Sequence, residues 1–265
     1  MYFKGLIRSA LVAAAIIAAA YCQSPPNKGK QVIDQAVAAL GGERFLHMHS
    51  RVASGRIYAF FHDELSGLSL AKIYVEYLPD ASSGLAVRER ELLGKKQDYS
   101  YLFLTDQAWD VTFRGARPVP DEDWQRYART TQNDILYLLR FRLNEPGIQY
   151  EYAGSDVYLS RHVEIVDIID AKDQTIRVFF DHNTMLPVHQ SYSWLDPATR
   201  VRNDEVTEYD KYRDAGGIKW PFSIERARNG YKVYQMFADQ VQVDQPLPPA
   251  IFDLPSGAKI LKKVN

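Results

Sequence analysis

From Thr175 to Val243 the chain alternates large apolar side chains with polar ones. That period of two sends successive strand residues to opposite faces of a sheet. Val188, Tyr192 and Trp194 alternate with His189, Ser191 and Ser193; further on, Ile218, Trp220, Phe222 and Ile224 alternate with Lys219, Ser223 and Glu225. Turn-forming runs separate the segments: Asp181-His182-Asn183-Thr184, Asp196-Pro197-Ala198-Thr199, Asp214-Ala215-Gly216-Gly217 and Asn229-Gly230. The pattern predicts an antiparallel meander with one broad aromatic face. Upstream it predicts strands over residues 50–61, 69–78, 84–93, 99–105 and 108–113, with turns at 80–84 and 94–97.

Two segments change period. Val32, Ile33, Ala36, Val37 and Leu40 fall on one helical stripe and Gly41-Gly42 follows them, which predicts a helix over 31–40. A second helix is expected from Asp121 to Arg142. Asp121, Glu122 and Asp123 load its first turn and Arg140 and Arg142 its last, as the helix dipole favours. Trp124, Tyr127, Ala128, Thr131, Ile135, Leu138 and Leu139 recur at helical spacing, Leu136, Tyr137 and Phe141 widen the apolar surface, and Glu145-Pro146-Gly147 stops it. From residue 148 onward strands dominate, joined by turns too close for βαβ crossovers. The expected fold class is α+β: a large curved antiparallel sheet with two main helices against its concave face.

Composition adds limits. The 265 residues are 46% hydrophobic and 25% charged with a formal net charge of −1, which fits one globular domain and offers no basic field for nucleic acid. Lys4 and Arg8 precede an apolar run ending in small residues, the pattern of an export signal. Ala10 to Cys22 spans about 20 Å as a helix, short of the roughly 30 Å bilayer core, so no permanent span is expected. The organisation read from this is a cleaved signal peptide over 1–20, a flexible lead-in over 21–30 and one domain over 31–265, in a periplasmic protein. Cys22 is the one cysteine and leaves an intrachain disulfide no second thiol. It also sits where a lipoprotein signal would place an acylated cysteine, so a membrane-anchored lipoprotein is the alternative.

Catalytic constellations are sparse. There is no Gly-x-Ser-x-Gly elbow, phosphate-cradling glycine loop or Cys-x-x-Cys. His47 and His49 are two apart and could share a face toward one ion, which keeps a metal-dependent hydrolase as the least favoured reading. The carboxylate groups Asp63-Glu64, Asp121-Glu122-Asp123 and Asp204-Glu205 read as adjacent acids of a helix start or a turn, where solvation or dipole contact accounts for them. No enzyme and no cofactor are expected. The aromatic face remains: Tyr192, Trp194, Trp220, Phe222 and Ile224, opposed by Ile135, Leu136 and Leu139 of the second helix, would line a hydrophobic ligand cavity or else a packed core.

The carboxyl-terminal motifs resemble a known family. Asp181-His182-Asn183-Thr184-Met185-Leu186-Pro187 is similar to a strand–turn–strand signature of periplasmic lipoprotein carriers of the LolA/LolB-like superfamily. Tyr209-Asp210-Lys211-Tyr212-Arg213 followed by Gly217-Ile218-Lys219-Trp220-Pro221-Phe222, the closing Ile251-Phe252-Asp253-Leu254-Pro255 and, more loosely, Ala38-Ala39-Leu40-Gly41-Gly42 are similar to passages of its uncharacterised bacterial members. The resemblance implies a half-open antiparallel barrel of roughly eleven strands plugged by helices. It also implies a non-enzymatic carrier for lipid or the acyl chains of lipoproteins; the alternative is an envelope module of the same fold with a filled core, which binds a protein partner through an exposed edge or loop. An arginine that latches the plug is implied as well, with Arg56, Arg88 and Arg90 as candidates.

Overall fold

The computed structural model describes residues 27–79 and 84–263. The expected leader, Cys22 and most of the 80–84 turn lie outside the described residues. Thirteen strands form one antiparallel sheet: β1 (Ser50–Phe61), β2 (Glu64–Tyr77), β3 (Val87–Leu93), β4 (Tyr99–Phe103), β5 (Ala108–Thr112), β6 (Gly115–Pro118), β7 (Gln149–Tyr158), β8 (Arg161–Ile169), β9 (Thr175–Asp181), β10 (Pro187–Leu195), β11 (Arg202–Asp214), β12 (Lys219–Arg228) and β13 (Tyr231–Val243). Their order across the sheet is β6-β5-β4-β3-β2-β1-β13-β12-β11-β10-β9-β8-β7. Neighbouring strands are consecutive in sequence except where β13 returns to pair with β1, which joins the two halves. Strands β6 and β7 end the sheet without meeting, so it remains a half-open barrel.

Tight turns set the register. His62 (φ 49°) and Asp63 (φ 64°) turn β1 into β2, and Asn229 (φ 51°) and Gly230 (φ 83°) turn β12 into β13, the doubly positive geometry that matches strand twist. The turn after β9 shows why an Asp-x-x-Thr run suits this place. The Asp181 carboxylate accepts the Asn183 and Thr184 N–H groups at 3.0 and 2.9 Å. The chain then passes through Met185 at φ 57° before β10 begins. Asp196 repeats the device with Ala198 and Thr199, both at 2.8 Å, and Arg200 at φ 59°.

Two helical layers cover the concave face. Helix α1 (Lys28–Leu40) buries Val32, Ile33, Ala36, Val37 and Leu40, and Gly29 lets it approach the Tyr150 backbone of β7 closely. The short α2 (Glu43–Leu46) follows and buries Phe45. The second expected helix is interrupted: α3 (Asp121–Gln132) stops, α4 (Ile135–Tyr137) restarts, and a π-helical turn continues over Leu138–Arg142. Asp134 is the cause, because its backbone is extended and its carboxylate accepts the Leu136 N–H at 2.9 Å. A short acidic side chain that caps a new turn competes with an uninterrupted helix. No helix of the described residues is long and apolar enough to cross a membrane.

The C-terminal segment serves the opposite face. Phe252 packs against Tyr74 and Leu102 there. Beyond it, Ala116 on edge strand β6 donates to Lys259 O at 2.9 Å and accepts from Leu261 at 2.8 Å, which covers an otherwise unpaired edge. The sheet therefore has thirteen strands where about eleven were implied by the resemblance. The four-residue β6, absent from the periodicity reading, is among the additions.

Candidate functional site: the concave trough

The residues expected to form the aromatic face share one environment. Tyr192 (6% exposed), Trp220 (5%) and Phe222 (7%) are buried in the same core as Ile135, Leu136 and Leu139. Trp194 and Ile224 are half-buried against that core. Val188 does not join them: it sits at a bulge where the β9–β10 register shifts, and it lines a hollow with Glu208, Asp210 and Phe237 instead. An extra residue in one strand turns the side chains on either side of it out of phase.

The same face carries polar groups that alternation alone places there. Gln190 lies two residues before Tyr192 and is 1% exposed. Its Oε1 accepts the Ile135 N–H at 2.6 Å, and its Nε2 donates to Asn133 O at 3.1 Å. The buried Tyr209 hydroxyl lies 2.7 Å from the same Oε1 and 3.0 Å from Asp134 Oδ2. Burial, reinforced by Asp134, holds that phenol well above the usual tyrosine range, so it stays protonated. These bonds fasten the interruption between α3 and α4 to the sheet. Arg140 of the π-helical turn ties its other end by donating to Phe45 O and Met48 O.

Beyond Ile224 the inward face of β12 continues as Arg226 and Arg228. Arg228 Nε donates to Glu205 Oε1 at 2.6 Å, and Trp194 Nε1 donates to the same oxygen at 3.3 Å. Arg129 of α3 lies over the Trp194 ring, 3.4 Å from its centroid. Arg226 reaches Asp134 only at 3.8 Å, and its Nε–H has no hydrogen-bond partner. On the opposing wall Glu89 and Glu91 lie two apart on β3. Burial, together with Glu89 hydrogen-bonded beside it, holds the Glu91 carboxyl well above the usual carboxylate range.

Little of the trough is empty. A cavity of about 110 Å³ lies between Arg51, Glu89, Leu136, Trp220, Ile224 and Arg226. A wider opening of about 460 Å³ meets it at Arg226 and runs past Tyr127 and Tyr234 beneath α3. The inner space would hold a few waters at about 30 Å³ each and falls below the roughly 300–1,000 Å³ of drug-sized ligand sites. In this conformation the helical plug and the aromatic face are in contact.

The remaining candidate residues lie elsewhere. Arg88 pairs with Glu76 and lies over Phe252, Arg90 donates to Asp253 O, and Arg56 pairs with Asp239. None of the three touches the plug, whereas Gln190, Arg226 and Arg129 join plug and sheet. His47 bonds Glu43, and His49 lies 3.9 Å from Asp244. Among the described residues no three His, Cys, Asp or Glu side chains converge as metal ligands.

Neither a family model nor a curated protein matches this chain. Solved structures do. An outer membrane lipoprotein-sorting protein domain from Vibrio parahaemolyticus is similar at TM-score 0.56 and 9% identity, with 85% of this chain and 96% of that one covered. A DUF1329 family protein from Desulfovibrio piger gives 0.57 and 12%, with 89% and 100% covered. A LolA superfamily protein from Nitrosomonas europaea gives 0.48 and 9%, with 84% and 96% covered. Likeness at such low identity speaks to architecture alone: the half-open antiparallel sheet plugged by helices is the fold this chain shares with the Vibrio and Desulfovibrio proteins.

Proposed function

We propose that this protein is a non-enzymatic binding or carrier protein for a hydrophobic ligand of the bacterial envelope, either lipid or the acyl chains of lipoproteins. One observation carries the reading. The aromatic concave face is covered by a broken helical segment held through a few polar bonds at Asn133–Ile135, and not by a continuous helix. Such a segment can leave as a unit and expose Tyr192, Trp194, Trp220, Phe222 and Ile224 without unfolding the sheet. Ile135, Leu136 and Leu139 would then stand in for ligand in the closed state. Release of the plug is required, because the closed trough offers only about 110 Å³ beside Trp220.

The export signal read in residues 1–20 supports a periplasmic location, and the fold shared with the Vibrio lipoprotein-sorting domain supports the ligand class. The compact closed packing favours a second reading, a filled-core module that binds an envelope protein partner. Lipid mass spectrometry of the protein purified from its native envelope, with fluorescent fatty-acid titration of the delipidated protein, separates the two. A carrier yields stoichiometric lipid and saturable binding. A folded protein that yields no lipid and binds no fatty acid sinks the carrier reading.

A further inference from the structure

Glu89 and Glu91 share the inward face of β3 with Val87 and Leu93, two of the core residues. Among the described residues neither glutamate forms an ion pair with a basic side chain. Arg51 on β1 donates to the Tyr77 hydroxyl at 3.3 Å and lies over the Trp220 ring at 4.7 Å. Arg226 has one long contact to Asp134 and an Nε–H with no partner, and 34% of its side chain is still reachable by solvent. Strands β3 and β12 are four spacings apart along the sheet, roughly 19 Å of arc at about 4.8 Å per strand. Glu89 and Arg226 nevertheless line one small cavity, because the curvature turns the two walls toward each other.

The cavity is thus lined by two guanidinium groups, Arg51 and Arg226, and two carboxyl groups, Glu89 and Asp134, whose one direct pairing is the long Arg226–Asp134 contact; Glu91 stands beside Glu89 on the same strand face. Acids and bases lining the cavity are balanced, two to two. A purely anionic head would meet Glu89 and Asp134, and a purely cationic head would meet Arg51 and Arg226. A neutral sugar or glycerol head would leave the charges without counterions in a desolvated site, which is costly. A head that carries both signs answers both walls. The apolar remainder of the same cavity, Val75, Val87, Leu136, Trp220 and Ile224, continues from the charged end toward the core.

We propose that the trough binds an amphiphile with a zwitterionic head: a primary ammonium seated on Glu89, with Glu91 beside it, and a phosphate on Arg226 and Arg51. This rests on the carrier reading, which supplies the tail, and adds the chemistry of the head. A primary ammonium has three N–H donors for two carboxyl groups, whereas a quaternary ammonium has none. A guanidinium suits a phosphate through paired N–H donors. The source is an ethanolamine-type phospholipid, and choline-type and glycerol-type lipids provide the contrast.

The experiment is a tryptophan-fluorescence titration of the full chain with four amphiphiles of equal chain length, each below its micelle threshold. They are lysophosphatidylethanolamine, lysophosphatidylcholine, lysophosphatidylglycerol and an alkyl maltoside as the tail-only control. The ethanolamine lipid should bind about tenfold more tightly than either other phospholipid, the value of one or two charge-assisted hydrogen bonds. The Glu89→Gln/Glu91→Gln double variant should erase that preference. Arg226→Gln should weaken all three phospholipids and leave the maltoside unchanged. Equal affinity for the three phospholipids in the unsubstituted protein, alongside maltoside binding, overturns the head assignment and spares the carrier reading. No binding of any of the four removes both.

Discussion

Gln190 Oε1 accepts the Ile135 N–H at 2.6 Å, so a side chain of the sheet satisfies the first backbone donor of the plug's second half. The carbonyl of Asn133, on the other side of the break, is held by the same side chain at 3.1 Å. A helix interruption leaves such groups without intrahelical partners, and here they are buried. Gln190 therefore makes an interrupted plug compatible with a dry interface.

Gln190→Leu keeps the volume and removes both bonds, together with the one Gln190 accepts from the Tyr209 hydroxyl. It should cost about 2–6 kcal/mol, because a buried N–H and a buried C=O each lose their partner at about 1–3 kcal/mol apiece. Urea unfolding measures this as a lowered midpoint, and proteolysis near residues 133–135 should quicken. A loss below about 1 kcal/mol would show that water or a shifted backbone replaces the side chain.

Arg140 fixes the far end of the plug through Phe45 O and Met48 O, with its guanidinium 4.5 Å from the Tyr77 ring centroid. Arg140→Met retains most of the stem and removes these donors. The expected cost is about 1.5–3 kcal/mol, the range for hydrogen bonds to a charged group. Paired with Gln190→Leu in a double-mutant cycle, it should be non-additive if both hold one opening unit. Strict additivity would mean that the two ends of the plug loosen separately.

Glu91 gives a pH signature of the trough. Its carboxyl faces Glu89 on its own strand, Arg226 on β12, Tyr234 on β13 and Tyr127 on α3. Burial and Glu89 raise its proton affinity above the ordinary glutamate value of 4.5. The folded protein then holds a proton that the unfolded chain has released, so this group's contribution is fully present below 4.5 and is lost as pH rises through the raised value. Glu91→Gln, neutral at every pH, should match the unsubstituted protein at pH values near 4 and exceed it in stability near 8. Urea midpoints that stay parallel across that range would place Glu91 in contact with bulk water.

The limits of the sequence reading follow from what alternation records. A period of two identifies which residues share a face, and it placed Trp220, Phe222 and Ile224 together correctly. Carried two and four residues further it also reaches Arg226 and Arg228, and carried back from Tyr192 it reaches Gln190. The signal for those polar groups was therefore present but masked by the expectation of an apolar lining. Asn133-Asp134 likewise offered a cap within the helical stripe, yet the seven positions at helical spacing, four before it and three after, favoured continuity. Strand β6 is different. Four residues that owe their conformation to pairing with β5 and the C-terminal segment carry too little periodicity to be recognised. No local pattern announces that β3 and β12 oppose each other across the trough, because that follows from curvature summed over the strands between them.

Leu139 allows plug and trough to be tested apart. It is fully buried, lies in the π-helical turn and packs in the core that includes Trp220 and Phe222. Leu139→Ala should cost about 2–4 kcal/mol through lost burial and the cavity left behind. That cost falls on the closed state, since the open state has already removed the side chain from the core. If opening leaves the sheet intact, each 1.4 kcal/mol or so of selective destabilisation raises the open fraction about tenfold, and apparent affinity rises with it while the open state is the minor one. The variant should therefore unfold more easily in urea and yet bind a fluorescent fatty acid faster and more tightly than the unsubstituted protein. Opposite movement of stability and affinity is the signature of a plug that competes with ligand for the aromatic face. A filled-core module behaves otherwise, losing stability with no gain in binding, because its core never opens to admit a chain.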